Sequence, residues 1–149
     1  MKILLAAALF LAPASRAEAA KLRVVATLPE LADIASRVGG ELVSVDRLAR
    51  GTEDIHQIVM KPSFATKLNR ADAVVYLGLT VEHVFLPGLL EVAMNPKMRP
   101  DPETSSCAGT GCIDCSTGVR LLDKPDSLSR AQGEIHPQGN PHYNLNPEN

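Results

Sequence analysis

Short aliphatic runs alternate with amphipathic stretches through the first two thirds of the chain, and this alternation constrains the fold more than any other feature. Leu22 to Ala26 (LRVVA), Leu42 to Val45 and Ala73 to Tyr76 (AVVY) read as strands. They lack polar alternation, as expected when both faces of a sheet are covered. Pro29 opens a helical stretch in which Leu31, Ile34, Ala35 and Val38 recur at spacings of three and four, and Gly39-Gly40 ends it. Pro62 opens another, with Phe64, Leu68 and Ala71 on one face. Val81 to Met94 reads as a third helix, buried through Val81, Val84, Phe85, Leu89 and Val92 and kinked at Pro87-Gly88. Repeated strand–helix units predict an α/β fold, a parallel four-stranded sheet flanked by helices. Val119 to Leu122 (VRLL) is the expected fourth strand, after a long Pro-, Ser-, Gly- and Cys-containing loop over Pro96 to Gly118. From Asp123 to Asn149 almost nothing is apolar, so the α/β pattern stops in a His- and Pro-rich loop, and the fold reads as incomplete.

A chain of 149 residues with 45% hydrophobic and 21% charged residues has material for one domain with its own core. A formal charge of −2 without a basic patch, and 3% aromatics without Trp, argue against nucleic acid and base-stacking partners. Residues 1–19 read as a secretory leader. Met1-Lys2 is a positive start, Ile3 to Pro13 is apolar but too short to span a bilayer, and Ala17-Glu18-Ala19 is a small-x-small cleavage signal. The expected mature protein, residues 20–149, is soluble and exported and has no later membrane span.

In open α/β sheets ligands bind at the loops beyond the carboxyl ends of the strands. His56 lies in such a loop, within Gly51-Thr52-Glu53-Asp54-Ile55-His56, where a nearby acid is expected to orient the imidazole. His142 lies in another, within Ile135-His136-Pro137-Gln138-Gly139-Asn140-Pro141-His142-Tyr143. His136, six residues earlier, is a weaker candidate, and His83, expected mid-helix and away from the apolar stripe, is weaker still. Neutral imidazole is a good ligand for zinc and similar metals. Coordination requires the neutral ring, so affinity is expected to fall with pH. Cys107, Cys112 and Cys115 have the spacing C-x4-C-x2-C. They read either as one disulfide plus a remaining thiol, which suits an exported chain, or as thiolate metal ligands with a histidine.

The segments ATLPELADIASRVGGE, EDIHQIVMKPSFATKLNRADAVVYLGLTVE and GEIHPQGNPHYNLNPEN resemble the solute-binding proteins of zinc and manganese ABC importers. The resemblance runs from about Leu22 to Asn149. It rests on the acid-x-His loop, the Pro-Ser before a helix, the Ala-Asp-x-Val-Val-Tyr-x-Gly-Leu-x-x-Glu run and the Asn-Pro-His-Tyr segment, all in order. It implies two α/β lobes joined by a long helix, with metal held between them. The N-terminal lobe supplies two His ligands, which fall here on His56 and His142. The implied cargo is Zn2+ or, as the alternative, Mn2+. Zinc is preferred because manganese favours more oxygen ligands. The implied partner is an ABC permease in the inner membrane, and the implied role is capture and delivery, with no enzymatic activity.

The sequence departs from that family in three respects. The implied linking helix and C-terminal lobe, with two of the expected four ligands, have no counterpart in residues 20–149. The segment usually reading His-Tyr-Trp-Leu-Asp-Pro is His142-Tyr143-Asn144-Leu145-Asn146-Pro147, so a Trp and an acid are both Asn. The cysteine stretch lies outside the resemblance. Two other readings compete with the receptor. One is a hydrolase with a His-bound metal, for which Glu53, Asp54 and Glu134 are available acids although no His-Glu-x-x-His motif is present. The other is a non-functional remnant of the receptor fold.

Overall fold

The computed structural model describes residues 20–126 and 136–146. The leader, Glu134 and Pro147 lie outside the described residues. Four parallel strands form the sheet: β1 (Leu22–Ala26), β2 (Val43–Arg47), β3 (Ala73–Tyr76) and, at the far edge, β6 (Cys112–Asp114). Their spatial order is β2-β1-β3-β6. Val24 lies opposite Val45 and Ala73, and Val75 lies opposite Ile113. Two-residue strands β4 (Arg99–Pro100) and β5 (Cys107–Ala108) pair antiparallel in a separate ribbon.

Helix α1 (Pro29–Gly39) has Pro in its first turn, where the missing N–H costs nothing. It packs against β1, β2 and β3. Leu31 is buried as expected, but Ile34 is 57% and Val38 84% exposed. The outer half of the apolar stripe lines an open groove of about 530 Å³ that continues over Val24, Val75, Ile113 and Tyr143. Helix α2 (Pro62–Arg70) buries Phe64, Ala65 and Leu68. It lies beside Arg23, Ser44 and Asp46, whose side chains point to the other face of the sheet by strand alternation. The amide of Asn95 closes its C-terminal end, donating to the carbonyls of Leu68 (2.7 Å), Ala71 (2.9 Å) and Asn69 (3.2 Å).

Two sequence expectations are corrected here. The third helix, α3, spans only Leu86–Ala93. Val81 to Phe85 forms tight turns, and Pro87 sits in the first helical turn, so it starts the helix rather than kinking it. Consequently Leu86, Leu90 and Ala93 join Val81, Phe85 and Leu89 in the core, while Val84 and Val92 are exposed. The fourth strand is Cys112–Asp114, inside the segment expected to be a loop, and Val119 to Leu122 forms no strand. A three-residue edge strand containing Cys and Asp has almost no local signature; pairing with β3 creates it.

Candidate functional site

Because the strands are parallel, all their carboxyl ends open onto one rim. β2 is followed by the loop carrying His56, β3 by a tight turn over Leu77 to Thr80, and β6 by the segment leading to His136 and His142. The rim holds a cavity of about 440 Å³ lined by His56, Asp123, His136, Asn140 and His142, among others. The His56 and His142 rings lie edge to face, with centroids 5.6 Å apart and an interplanar angle of 87°. His136 tilts against His56 with centroids 5.2 Å apart. Among the described residues, no group of three or more His, Cys, Asp or Glu side chains is placed to hold a metal ion as it stands.

Each histidine is fixed by its own surroundings. Asp54 accepts a hydrogen bond from the His56 backbone N–H (3.0 Å) and another from the Gln57 amide (3.1 Å). Asp54 thus shapes the loop through the main chain. Glu53 does the same from the other side, accepting from the Arg50 N–H at 2.8 Å. That backbone bond holds the Glu53 carboxyl below its ordinary value.

His142 is set by Asn140, whose side-chain oxygen accepts from the His142 N–H at 3.0 Å. The Asn140 amide in turn reaches the Asp123 carboxylate at 3.2 Å. Tyr143 anchors the segment, its hydroxyl donating to the Leu77 carbonyl at 2.7 Å. Burial pushes that hydroxyl's pKa well above the usual range. Asn144 and Asn146 hold the two positions where the family resemblance leads one to expect Trp and an acid. The Asn144 amide lies 3.4 Å from Glu30, and the Asn146 N–H donates to the Tyr143 carbonyl at 3.0 Å.

Beneath the rim, Glu82 is 3% exposed. Its carboxylate accepts from the Leu77 N–H (2.7 Å), the Gly78 N–H (3.1 Å) and the Thr27 hydroxyl (2.8 Å). Burial pushes its carboxyl up, against these three donors. Glu82 stood in the quoted Gly-Leu-x-x-Glu run, but sequence gave it no role. Thr80 and Asp123 carried no signal in sequence at all. His83 is exposed, its Nδ1 lying 2.6 Å from the Thr80 carbonyl.

The cysteines separate from this site. Cys107 and Cys112 form a disulfide, and Cys115 is the free thiol. Burial, with Asp114 and Glu82 nearby, pushes the Cys115 thiol up and away from the thiolate form that metals bind. This corrects the thiolate-site reading and leaves the disulfide reading.

The profile of the family described as ZnuA, zinc-uptake complex component A, periplasmic, covers residues 24–149. No curated protein matches significantly. Among solved structures, a ZnuA crystal structure is 25% identical, with a TM-score of 0.56 over 70% of this chain and 35% of that one. A zinc-bound ZnuA deletion mutant is also 25% identical, with a TM-score of 0.57 over 71% of this chain and 35% of that one. A Mn-bound periplasmic metal binding protein from Candidatus Liberibacter asiaticus is 22% identical, with a TM-score of 0.55, and shares the fold over 73% of this chain and 36% of that one. The chain therefore spans about a third of the length of the solved structures it matches. No helix among the described residues is long and apolar enough to cross a membrane. With the same parallel sheet and a profile match over most of its length, the chain belongs to the periplasmic zinc-uptake component A (ZnuA) family.

Proposed function

We propose that residues 20–149 form the N-terminal metal-binding lobe of an exported receptor. Its cargo is a divalent transition metal, zinc in preference to manganese, captured through His56 and His142 for delivery to an ABC permease. The observation that carries this reading is the His56–His142 pair in the cavity at the carboxyl ends of the strands. A Zn–N bond of about 2.1 Å puts a ring centroid about 3.2 Å from the ion, so imidazoles sharing one ion have centroids about 5 to 6 Å apart. The pair's 5.6 Å falls in that range.

Two nitrogens leave a tetrahedral zinc short of ligands, so further donors complete the shell, from this lobe, another lobe or solvent. Capture and release without turnover makes this a receptor rather than a catalyst. The test is zinc affinity by chelator competition on the purified chain with Cys115 alkylated, alongside His56→Ala and His142→Ala. Binding lost in both variants supports the reading. Binding unchanged in both refutes it.

A further inference from the structure

We propose that His136 supplies a third imidazole to this site through Nε2, with Thr80 and the Leu79 carbonyl as its positioning groups; the proposal rests on the reading that His56 and His142 hold the ion. His136 Nδ1 lies 3.1 Å from the Leu79 carbonyl oxygen and 3.0 Å from the Thr80 hydroxyl. A carbonyl oxygen can only accept, so Nδ1 carries the hydrogen. In the neutral ring the lone pair is then on Nε2. Metal-binding histidines are commonly fixed in this way, with the second nitrogen donating to a carbonyl that sets both tautomer and ring orientation.

The His136 ring is 5.2 Å from His56, close to the separation of two imidazoles at a tetrahedral angle about one ion, and it lines the same cavity. His136 is only 9% exposed, so its ring is held by packing as well as by hydrogen bonds. The turn that holds it is unusual. Gly78 (φ 86°), Leu79 (φ 53°) and Thr80 (φ 66°) are three consecutive residues in left-handed conformation. For a β-branched residue such as Thr that conformation is a true outlier. Glu82 holds the turn from below through the Leu77 and Gly78 N–H groups. The strained turn thus brings one carbonyl and one hydroxyl to a single imidazole nitrogen. Among the described residues the three side chains do not yet enclose an ion, so the proposal requires zinc binding to draw them together; three imidazoles plus water then make an open zinc centre.

The test is a long-range ¹H–¹⁵N correlation spectrum of the histidine-labelled chain, recorded with and without zinc. The expected result is that the Nε2 signal of His136 moves to the metal-bound range in step with the ligating nitrogens of His56 and His142, while its Nδ1 stays protonated. Chelator competition on Thr80→Val is expected to show about a 10-fold to 100-fold loss of zinc affinity, with Thr80→Ser close to the parent. If zinc shifts His56 and His142 but leaves His136 Nε2 in place, the third ligand is refuted and the two-histidine reading survives. If none of the three moves, both readings fall. The spectrum uses the unsubstituted chain, so the outcome does not depend on a His136 variant folding.

Discussion

Glu82 offers a sharp test of how the rim is built. Both Thr27 and Leu77 donate to Oε1, whereas Gly78 donates to Oε2. In Glu82→Gln the amide oxygen can keep the first two contacts, but the NH₂ group then faces the Gly78 N–H, donor against donor. One buried donor without an acceptor costs about 1 to 3 kcal/mol. With a urea m-value of about 1.5 kcal/mol/M, the midpoint is expected to fall by about 0.7 to 2 M. Glu82→Leu strands all three donors and is expected to cost about 3 to 5 kcal/mol, near the whole stability of a small domain. Amide hydrogen exchange at Leu77 and Gly78 should lose protection in the Gln variant. The pH dependence carries a sign as well. Burial raises the folded-state carboxyl above 4.5. Its stability contribution is therefore full below the unfolded value and is lost as pH rises through the folded one. A urea midpoint within about 0.2 M of the parent, with exchange at Leu77 unchanged, refutes the account of a carboxylate holding the turn.

Three further outcomes follow from other parts of the structure. The Lys97 ammonium at 2.7 Å and the Arg23 N–H at 2.8 Å hold the Asp72 carboxyl at about 2. That contribution is present above the unfolded value of 3.8 and is lost as pH falls toward 2, so Asp72→Asn should flatten the acid limb of a stability–pH profile; an unchanged limb counts against it. Cys107 and Cys112 are five residues apart, and removing a cross-link over so short a loop costs about 2 kcal/mol. The Cys107→Ala/Cys112→Ala variant is expected to melt about 5 to 10 °C lower by circular dichroism, and an unshifted melt removes the disulfide from the stability argument. Gly139 has φ 129°, and a Cβ there would lie 2.7 Å from the Leu122 carbonyl oxygen. Gly139→Ala is expected to displace the His136–His142 segment and cut zinc affinity at least about tenfold with little change in urea midpoint; undiminished affinity would show that this segment need not be rigid.

What the sequence determined by itself is the local part of this protein. β1, β3, α1 and α2 were legible because a buried strand is written as consecutive aliphatic residues, and a helix start as Pro before a three-four repeat. His56, His136 and His142 were legible as candidates because each stands in a loop rich in Gly, Pro or acids rather than in an apolar stripe. Tertiary structure decided which of those residues stand together. β6 exists only through its pairing with β3, since Cys112-Ile113-Asp114 carries no strand pattern of its own. Pro87 kinks a helix or starts one according to whether the preceding turns pack, and the burial of Val81 and Phe85 made it a start. Glu82 has no legible role until Thr27, 55 residues earlier, is brought beside it. The His56 ring lies beside those of His136 and His142 because the order β2-β1-β3-β6 in a parallel sheet delivers two widely separated loops to one rim. Propensity and period are properties of neighbours along the chain. Convergence is a property of topology, and no local window of sequence contains it.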